Sequence, residues 1–361
     1  MELRRKRVYR QKVIHKRAQT QLTLLPEQVA PSVGAPKHCK PFRIEGVDWE
    51  TTPVFDTYWR FAFARQEAYA RRLTNVFPYS DDPILQSYKF TNAYRVADRV
   101  SQFMLREVIY RGDQSADQVF FRTVLFKLFN KIETWSLLRQ SFGEIYWSPT
   151  IIPKISQLLT EKLGRGTRIY SAAYIMPSGG GAYARKHDAH LALLLKMMDE
   201  QIFKQIHEAP NMKMAFGILR AQPMLGDFLA YQFVTDINYS NISNFGEDEF
   251  VVAGPGARDG LRKCFPDMPM NLASEAIKAV YVAQAKEFQR RNLPFRTLWG
   301  RPLQLIDCQN LFCEVDKYSR VAHPDIMGLS GRTRIKQQFR PSGELPKPFF
   351  PPKWGLPVSQ A

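Results

Sequence analysis

A chain of 361 residues with 45% hydrophobic and 13% aromatic side chains is long enough for one large domain or two ordinary ones, and it can fill a substantial core, which excludes global disorder. Its 51 Lys and Arg against 34 Asp and Glu leave a formal charge of +17, which favours a polyanionic partner: DNA, RNA or an anionic membrane surface. No run approaches the roughly 18 uninterrupted apolar residues of a membrane span, so no spanning helix is expected, and the partner expected below is DNA and not a membrane. The four scattered cysteines, with no CxxC, read as reduced thiols of an intracellular protein, nuclear in a eukaryote and cytoplasmic or nucleoid-associated in a prokaryote.

Residues 1–45 read as a basic arm and linker, with eight Lys or Arg against one acid in residues 1–17. Such an arm contacts phosphates, serves as a nuclear signal, or is a solvated tail. Aromatics and arginines at helical spacing (Phe55, Tyr58, Trp59, Ala62, Arg65, Tyr69) predict a helix over 54–74. The run Asp81-Asp82-Pro83 can cap a second helix over 84–110. Further helices are expected over 117–138, 151–163, 190–207, 271–291 and 304–318. Residues 168–176 are the best strand candidate, or equally a buried helix. Apolar stretches at 214–219 and 228–234 flank Pro223 and Gly226, which predicts two short helices joined by a tight turn. The tail from 331 to 361 is rich in Pro and aromatics and carries six Lys or Arg against one acid. It either lies extended along the body or binds a protein partner. Without the two termini the body holds 37 basic against 32 acidic residues, so a binding surface there must be a local patch.

The turn at 221–230 resembles the helix-hairpin-helix of DNA glycosylases. Pro223, Gly226 and Ala230 fit that pattern, and Met224 stands where its first glycine belongs. A helix start offers backbone N–H groups to a phosphate, which makes Gly226 a DNA-binding candidate. The second Gly-rich helix start, Ala253-Gly254-Pro255-Gly256-Ala257, adds Gly254, Gly256, Arg258 and Lys263. The loop Ser178-Gly179-Gly180-Gly181 adds Arg185 and Lys186, which can close over a base or phosphate, or is simply a mobile loop. Asp236 and Asp248 are the catalytic candidates, because a carboxylate near a sugar stabilises oxocarbenium-like charge or activates water. Asp307, Asn310, Glu314 and Lys317 fall on one helix face, either as a salt-bridged seam or as a pocket wall. With Asn92, Arg95, Asp98 and Tyr231, the residues Glu314 and Lys317 are the expected substrate pocket. His187 and His190 lie three apart beside Asp188 with no cysteine or further histidine nearby, so no metal is expected, and no cofactor.

Three segments, DDPILQSYKFTNAYRVADRV (81–100), GDFLAYQFVTDINYS…EDEFVVAGPGA (226–257) and LIDCQNLFCEVDKY (305–318), resemble the helical domain found with phage 5-hydroxymethyluracil DNA kinases and the related α-glutamyl/putrescinyl thymine pyrophosphorylase-like proteins. The resemblance covers about residues 50–320, with the motifs in the expected order. It implies kinship to helix-hairpin-helix DNA glycosylases and action on hypermodified bases in DNA; some relatives remove modified bases from phage DNA. The hairpin around Gly226, Asp236, the GPGA turn and the Cys313-Glu314…Asp316-Lys317 stretch match the family pattern. No G-x-x-x-x-G-K-[S/T] phosphate loop occurs in the chain.

The combined expectation is an all-α, helix-hairpin-helix glycosylase-like helical domain over 46–330 with extended basic termini. It acts on a modified pyrimidine in DNA, by N-glycosidic cleavage or by pyrophosphate displacement on the 5-substituent. The alternative is a non-catalytic nucleic-acid-binding module.

Overall fold

The computed structural model describes residues 39–181, 183–340 and 345–357. Most of the basic arm lies outside them. Among the described residues the chain forms thirteen α-helices and one two-stranded sheet, an all-α architecture with helices drawn from both halves of the chain around one apolar core. No helix among them is long and apolar enough to cross a membrane.

The sheet was not foreseen. Strands β1 (Phe42–Ile44) and β2 (Val47–Trp49) pair antiparallel, Phe42 opposite Trp49, across the boundary at 45 between the expected linker and domain. Glu45 and Gly46 both take positive φ (48° and 77°), the two-residue turn that matches strand twist. Helix α1 (Pro53–Leu73) follows the predicted pattern closely. Thr52 accepts from the Val54 N–H, Pro53 occupies the first turn, and the side chains of Phe55, Tyr58, Trp59 and Ala62 are buried.

The expected helix over 84–110 does not form as one element. Helix α2 (Pro83–Ser87) starts where Asp82 accepts from the N–H groups of Ile84 and Leu85, and it ends after one turn. The extended stretch that follows has its polar groups claimed from far away in sequence. Helix α13 (Leu305–Ala322) receives Thr91 N–H on Glu314 Oε2 (3.0 Å) and Arg95 N–H on Asp307 Oδ1 (2.7 Å), and Asn310 Nδ2 donates to Thr91 Oγ1 (2.9 Å). Those bonds replace the helical ladder, so apart from one 3-10 turn at Arg95–Ala97 the chain stays open until helix α3 (Arg99–Met104), capped by Asp98.

The expected helix over 117–138 divides into α4 (Ala116–Phe129) and α5 (Ile132–Phe142), because Asn130 takes a left-handed conformation (φ 47°). Helix α6 spans Ile151–Gly164. The expected helix over 190–207 divides into α7 (Lys186–Asp199) and α8 (Ile202–Glu208) at Gln201 (φ 51°). Residues 168–176 form neither strand nor helix. The two short helices around the Pro/Gly turn are present as α9 (Met212–Arg220) and α10 (Asp227–Asn238).

Helices α11 (Pro255–Cys264), α12 (Ala273–Arg290) and α13 complete the core. Helix α11 lies directly on α13. A Cβ on Gly260 would sit 2.1 Å from the Phe312 carbonyl oxygen, so only glycine permits this approach. The described parts of the tail lie against the body. Lys89 N–H donates to Gln337 O and Phe339 N–H to Ser87 O, each at 3.0 Å. Further on, Phe350 is buried and Gln102 exchanges hydrogen bonds with the Phe349 backbone. The Lys353 ammonium donates to the carbonyls of Asn238, Ser240 and Ser243 at the end of α10, and burial lowers its pKa to about 8.

Candidate functional site

Helix α10 carries Asp236 on its inward face, and the carboxylate is wholly buried. Arg95 reaches it from the open segment before α3 (Nη1 to Oδ1, 2.6 Å) and Lys127 from α4 (Nζ to Oδ2, 2.7 Å). Both cations are themselves at most 5% exposed, so the cluster places two positive charges and one negative charge in the core. Isolated charges are very costly there, and each ion persists because the others surround it. Burial drives the Asp236 carboxyl up in pKa, but Arg95 and Lys127 together outweigh this and hold it below the ordinary carboxylate range. Burial lowers the Lys127 pKa, only partly opposed by Asp236.

The cluster continues sideways. Arg95 Nε donates to Gln232 Oε1 (3.1 Å), whose amide approaches Gln309 Oε1 on α13. Beyond Arg95 lies Asp307, pushed up to about 6 by burial although two backbone N–H groups, of Gln304 and Arg95, bond its carboxylate.

Its roof is of a different kind. Tyr174 sits in the irregular stretch before α7 with φ 54°, which is strained for a bulky residue. Its half-buried ring stacks on Phe228 of α10 (centroids 5.9 Å apart, planes 15° apart) and lies over the Lys127 ammonium at 4.2 Å. Three glycines at positive φ, Gly179 to Gly181, follow in the same stretch. A flat aromatic ring thus fills a slot floored by Lys127 and Asp236, and it is delivered by a segment with no regular structure.

The sequence-predicted residues do not converge on one concave site. Asp236 and Arg95 meet, and Tyr231 is buried near them, bonding the Phe250 carbonyl weakly at 3.5 Å. Asp248 is exposed in the turn after α10, whereas its neighbour Glu247 turns inward onto Arg301 (2.8 Å). Asn92 holds the Arg65 guanidinium (2.7 Å) and the Ala97 carbonyl, and Asp98 caps α3. Glu314 and Lys317 pair with each other (2.8 Å), with Lys317 over the Phe90 ring at 4.6 Å. The polar row on α13 is therefore mainly a seam that receives residues 91–95.

The phosphate-binding expectations change most. Gly226 starts α10, but Asp227 in its first turn puts a carboxylate at that helix end and pairs with Arg220 (2.5 Å), which opposes an anion there. Gly254 and Gly256 serve packing: a Cβ on Gly254 would meet the Phe228 ring at 2.6 Å, and one on Gly256 the Cys313 sulfur at 2.3 Å. Lys263 is buried and donates to the carboxylate and the backbone carbonyl of Asp316 (both 3.1 Å), so its ammonium does not reach a surface phosphate. Arg258 is half-buried on α11. Arg185 pairs with Asp188 (2.7 Å), and Lys186 lies over the Tyr170 ring (4.9 Å). His187 and His190 are buried hydrogen-bonding groups, the latter between the Tyr170 hydroxyl and the Pro177 carbonyl.

Lys127 and Tyr174 escaped the sequence reading. A lysine inside a strongly apolar helix, Val119 to Phe129, was the available signal; nothing local marked Tyr174.

Residues 52–328 match the family described as 5-hmdU DNA kinase, helical domain, and the chain belongs to that family. It is 22% identical over 289 residues to the 5-hmdU DNA kinase of Bacillus phage SP10, an alignment that covers 73% of this chain and 45% of the phage protein. The chain thus spans less than half the length of that curated relative. No solved structure matches.

Proposed function

We propose that this member of the family binds DNA carrying a 5-substituted pyrimidine, draws that base out of the stack, and cleaves its N-glycosidic bond. The phage relative is named for a modified uracil in DNA, which supports the substrate class. The match is to the helical domain, and no G-x-x-x-x-G-K-[S/T] loop accompanies it in these 361 residues, so the matched residues carry no phosphoryl-transfer machinery of that type. Pyrophosphate displacement would need the Gly-rich turn at 253–257 with Arg258 and Lys263 to hold the leaving group, and Lys263 is instead held by Asp316.

The observation that carries the proposal is the Tyr174 ring between Phe228 and Lys127. A six-membered aromatic ring on an irregular segment occupies a place that a pyrimidine of similar shape fills when the segment swings aside. The base then lies against Phe228 with its sugar toward Asp236. Water attacks C1′ and passes a proton to the Asp236 carboxylate. The C1′–N1 bond breaks, its electron pair leaves with the base, and the base takes a proton from Lys127 Nζ. Arg95 holds Asp236 ionised, so the carboxylate also stabilises the developing sugar cation.

The test is incubation of the full chain with duplex DNA containing 5-hydroxymethyluracil and with matched unmodified DNA, followed by mass spectrometry of released small molecules. Free 5-hydroxymethyluracil from the modified duplex alone, lost with Tyr174→Trp, is the expected result. The sealing of the cluster beneath Tyr174 favours a second reading, a non-catalytic module that binds such DNA; DNA binding without any released base establishes that reading instead.

A further inference from the structure

A second site lies away from the Tyr174 slot. Between α1, the loop at 77–80 and the tail is a cleft of about 280 Å³, walled by Phe77, Tyr79, Tyr88, Phe90 and Phe339 with Arg65 among the lining residues. Phe77 is 72% exposed at its mouth, an unusual position for a phenylalanine without a partner surface. Arg65 donates to two neutral acceptors, Asn92 Oδ1 (2.7 Å) and the more distant Phe90 carbonyl, and among the described residues no carboxylate lies within ion-pair distance of it. Desolvation of this guanidinium lowers its pKa to about 10, only partly opposed by the more distant carboxylates of Asp98 and Glu314. Such a site favours an anion.

The tail side of the rim carries the same sign, while on the loop side the exposed Asp81 is paired with Arg71. Residues 332–340 run beside Tyr88 and are fixed by backbone bonds to Ser87 and Lys89, and Arg320 adds one to the Arg334 carbonyl. Arg332, Arg334, Lys336 and Arg340 are all exposed along this strip, and no acid occurs between Asp325 and Glu344. Lys89 is exposed beside them. Aromatic walls, a half-buried guanidinium and a track of exposed cations are the combination by which proteins hold a single strand: bases stack on rings while phosphates follow the positive charges.

We propose that this cleft captures one unstacked nucleotide of single-stranded DNA, its base among Phe77, Tyr79 and Phe339 and its flanking phosphates along residues 332–340. The captured nucleotide is not the reacting one, since the cleft shares no lining residue with the Tyr174 slot. The inference rests on the reading of the chain as a DNA-acting protein but not on its chemistry.

Fluorescence anisotropy of the full chain with a labelled strand of about 20 thymidylates, titrated at several salt concentrations, tests it. Loss of one stacking partner in Phe77→Ala weakens binding about tenfold. Removing two phosphate contacts in the double variant Lys336→Gln/Arg340→Gln lowers the salt slope by about 1.4. Phe77→Ala binding within about twofold of the parent, against the tenfold loss that stacking demands, overturns the proposal, as does an unchanged salt slope in the double variant. The two readings fail separately. Base release that persists alongside unaffected strand binding by Phe77→Ala removes only the cleft; Phe77-dependent strand binding with no base released removes only the cleavage.

Discussion

Two buried lysines show how differently the same chemistry can be housed. Lys127 and Lys263 each meet an aspartate in the core, Asp236 and Asp316, and each pair has an arginine on the same carboxylate, Arg95 in one and Arg320 in the other. Around Lys263 the cover is helix on helix, α11 against α13, brought together by Gly256 and Gly260. Around Lys127 the cover is one tyrosine ring on an irregular, glycine-rich segment with a strained backbone. Burial of a charge alone therefore does not mark a working site. The distinction lies in what must move to reach it: two packed helices in one case, one side chain and its loop in the other.

The largest effect separates the two clusters energetically. Asp236→Asn leaves two almost fully buried cations facing a neutral amide and is expected to cost about 3–5 kcal/mol in urea unfolding, with Asp316→Asn costing less because Arg320 is the more exposed cation. Equal losses would remove the asymmetry.

Asp307, bonded to the Arg95 backbone, tests the first cluster by pH. Its folded-state pKa of about 6 lies above the ordinary carboxyl value, so between about pH 4 and 6 the folded chain holds a proton that the unfolded chain has lost. Its contribution is most favourable below about pH 4 and falls by roughly 3 kcal/mol as the pH rises through 6. The stability of the parent relative to Asp307→Asn therefore declines across that window; a flat difference means that Asp307 titrates normally.

Gly260→Ala probes the second cover. The added methyl meets the Phe312 carbonyl, and a loss of about 1–3 kcal/mol is expected, with the Lys127–Asp236 pair untouched. Wild-type stability in this variant would show that α11 and α13 separate readily. The smallest change in stability, below about 1 kcal/mol, is expected for Tyr174→Gly, which loses a half-buried ring but relieves a positive φ. Its signature is reactivity: acetylation of Lys127, read by peptide mass spectrometry, rises in Tyr174→Gly while Lys263 stays inert. Parallel labelling of both lysines would mean that the two covers open equally readily.

Helix α1 was legible because its signal is local: aromatics and arginines at a period of 3.6. The α9–α10 pair was legible for the same reason, from Pro223 and Gly226. The segment after α2 was not, because Asp307, Asn310 and Glu314, more than 200 residues away, take hydrogen bonds that a helix would otherwise make. Gly254 and Gly256 misled for a related reason, since a glycine for phosphate approach and a glycine for helix approach look identical in a sequence.

The sequence by itself determined the helical class, the apolar faces, most helix starts, the basic tail and the family, since each depends on residue type at short spacing. Only the tertiary structure decided which charges are neutralised and what covers them. It put Lys127 and Arg95 on Asp236, drew Lys263 away from any phosphate, and laid Tyr174 over the first cluster and the 332–340 cations beside the aromatic cleft. The physical reason is that a charge in the core is set by partners within a few ångströms, and those partners come from helices far apart in the chain.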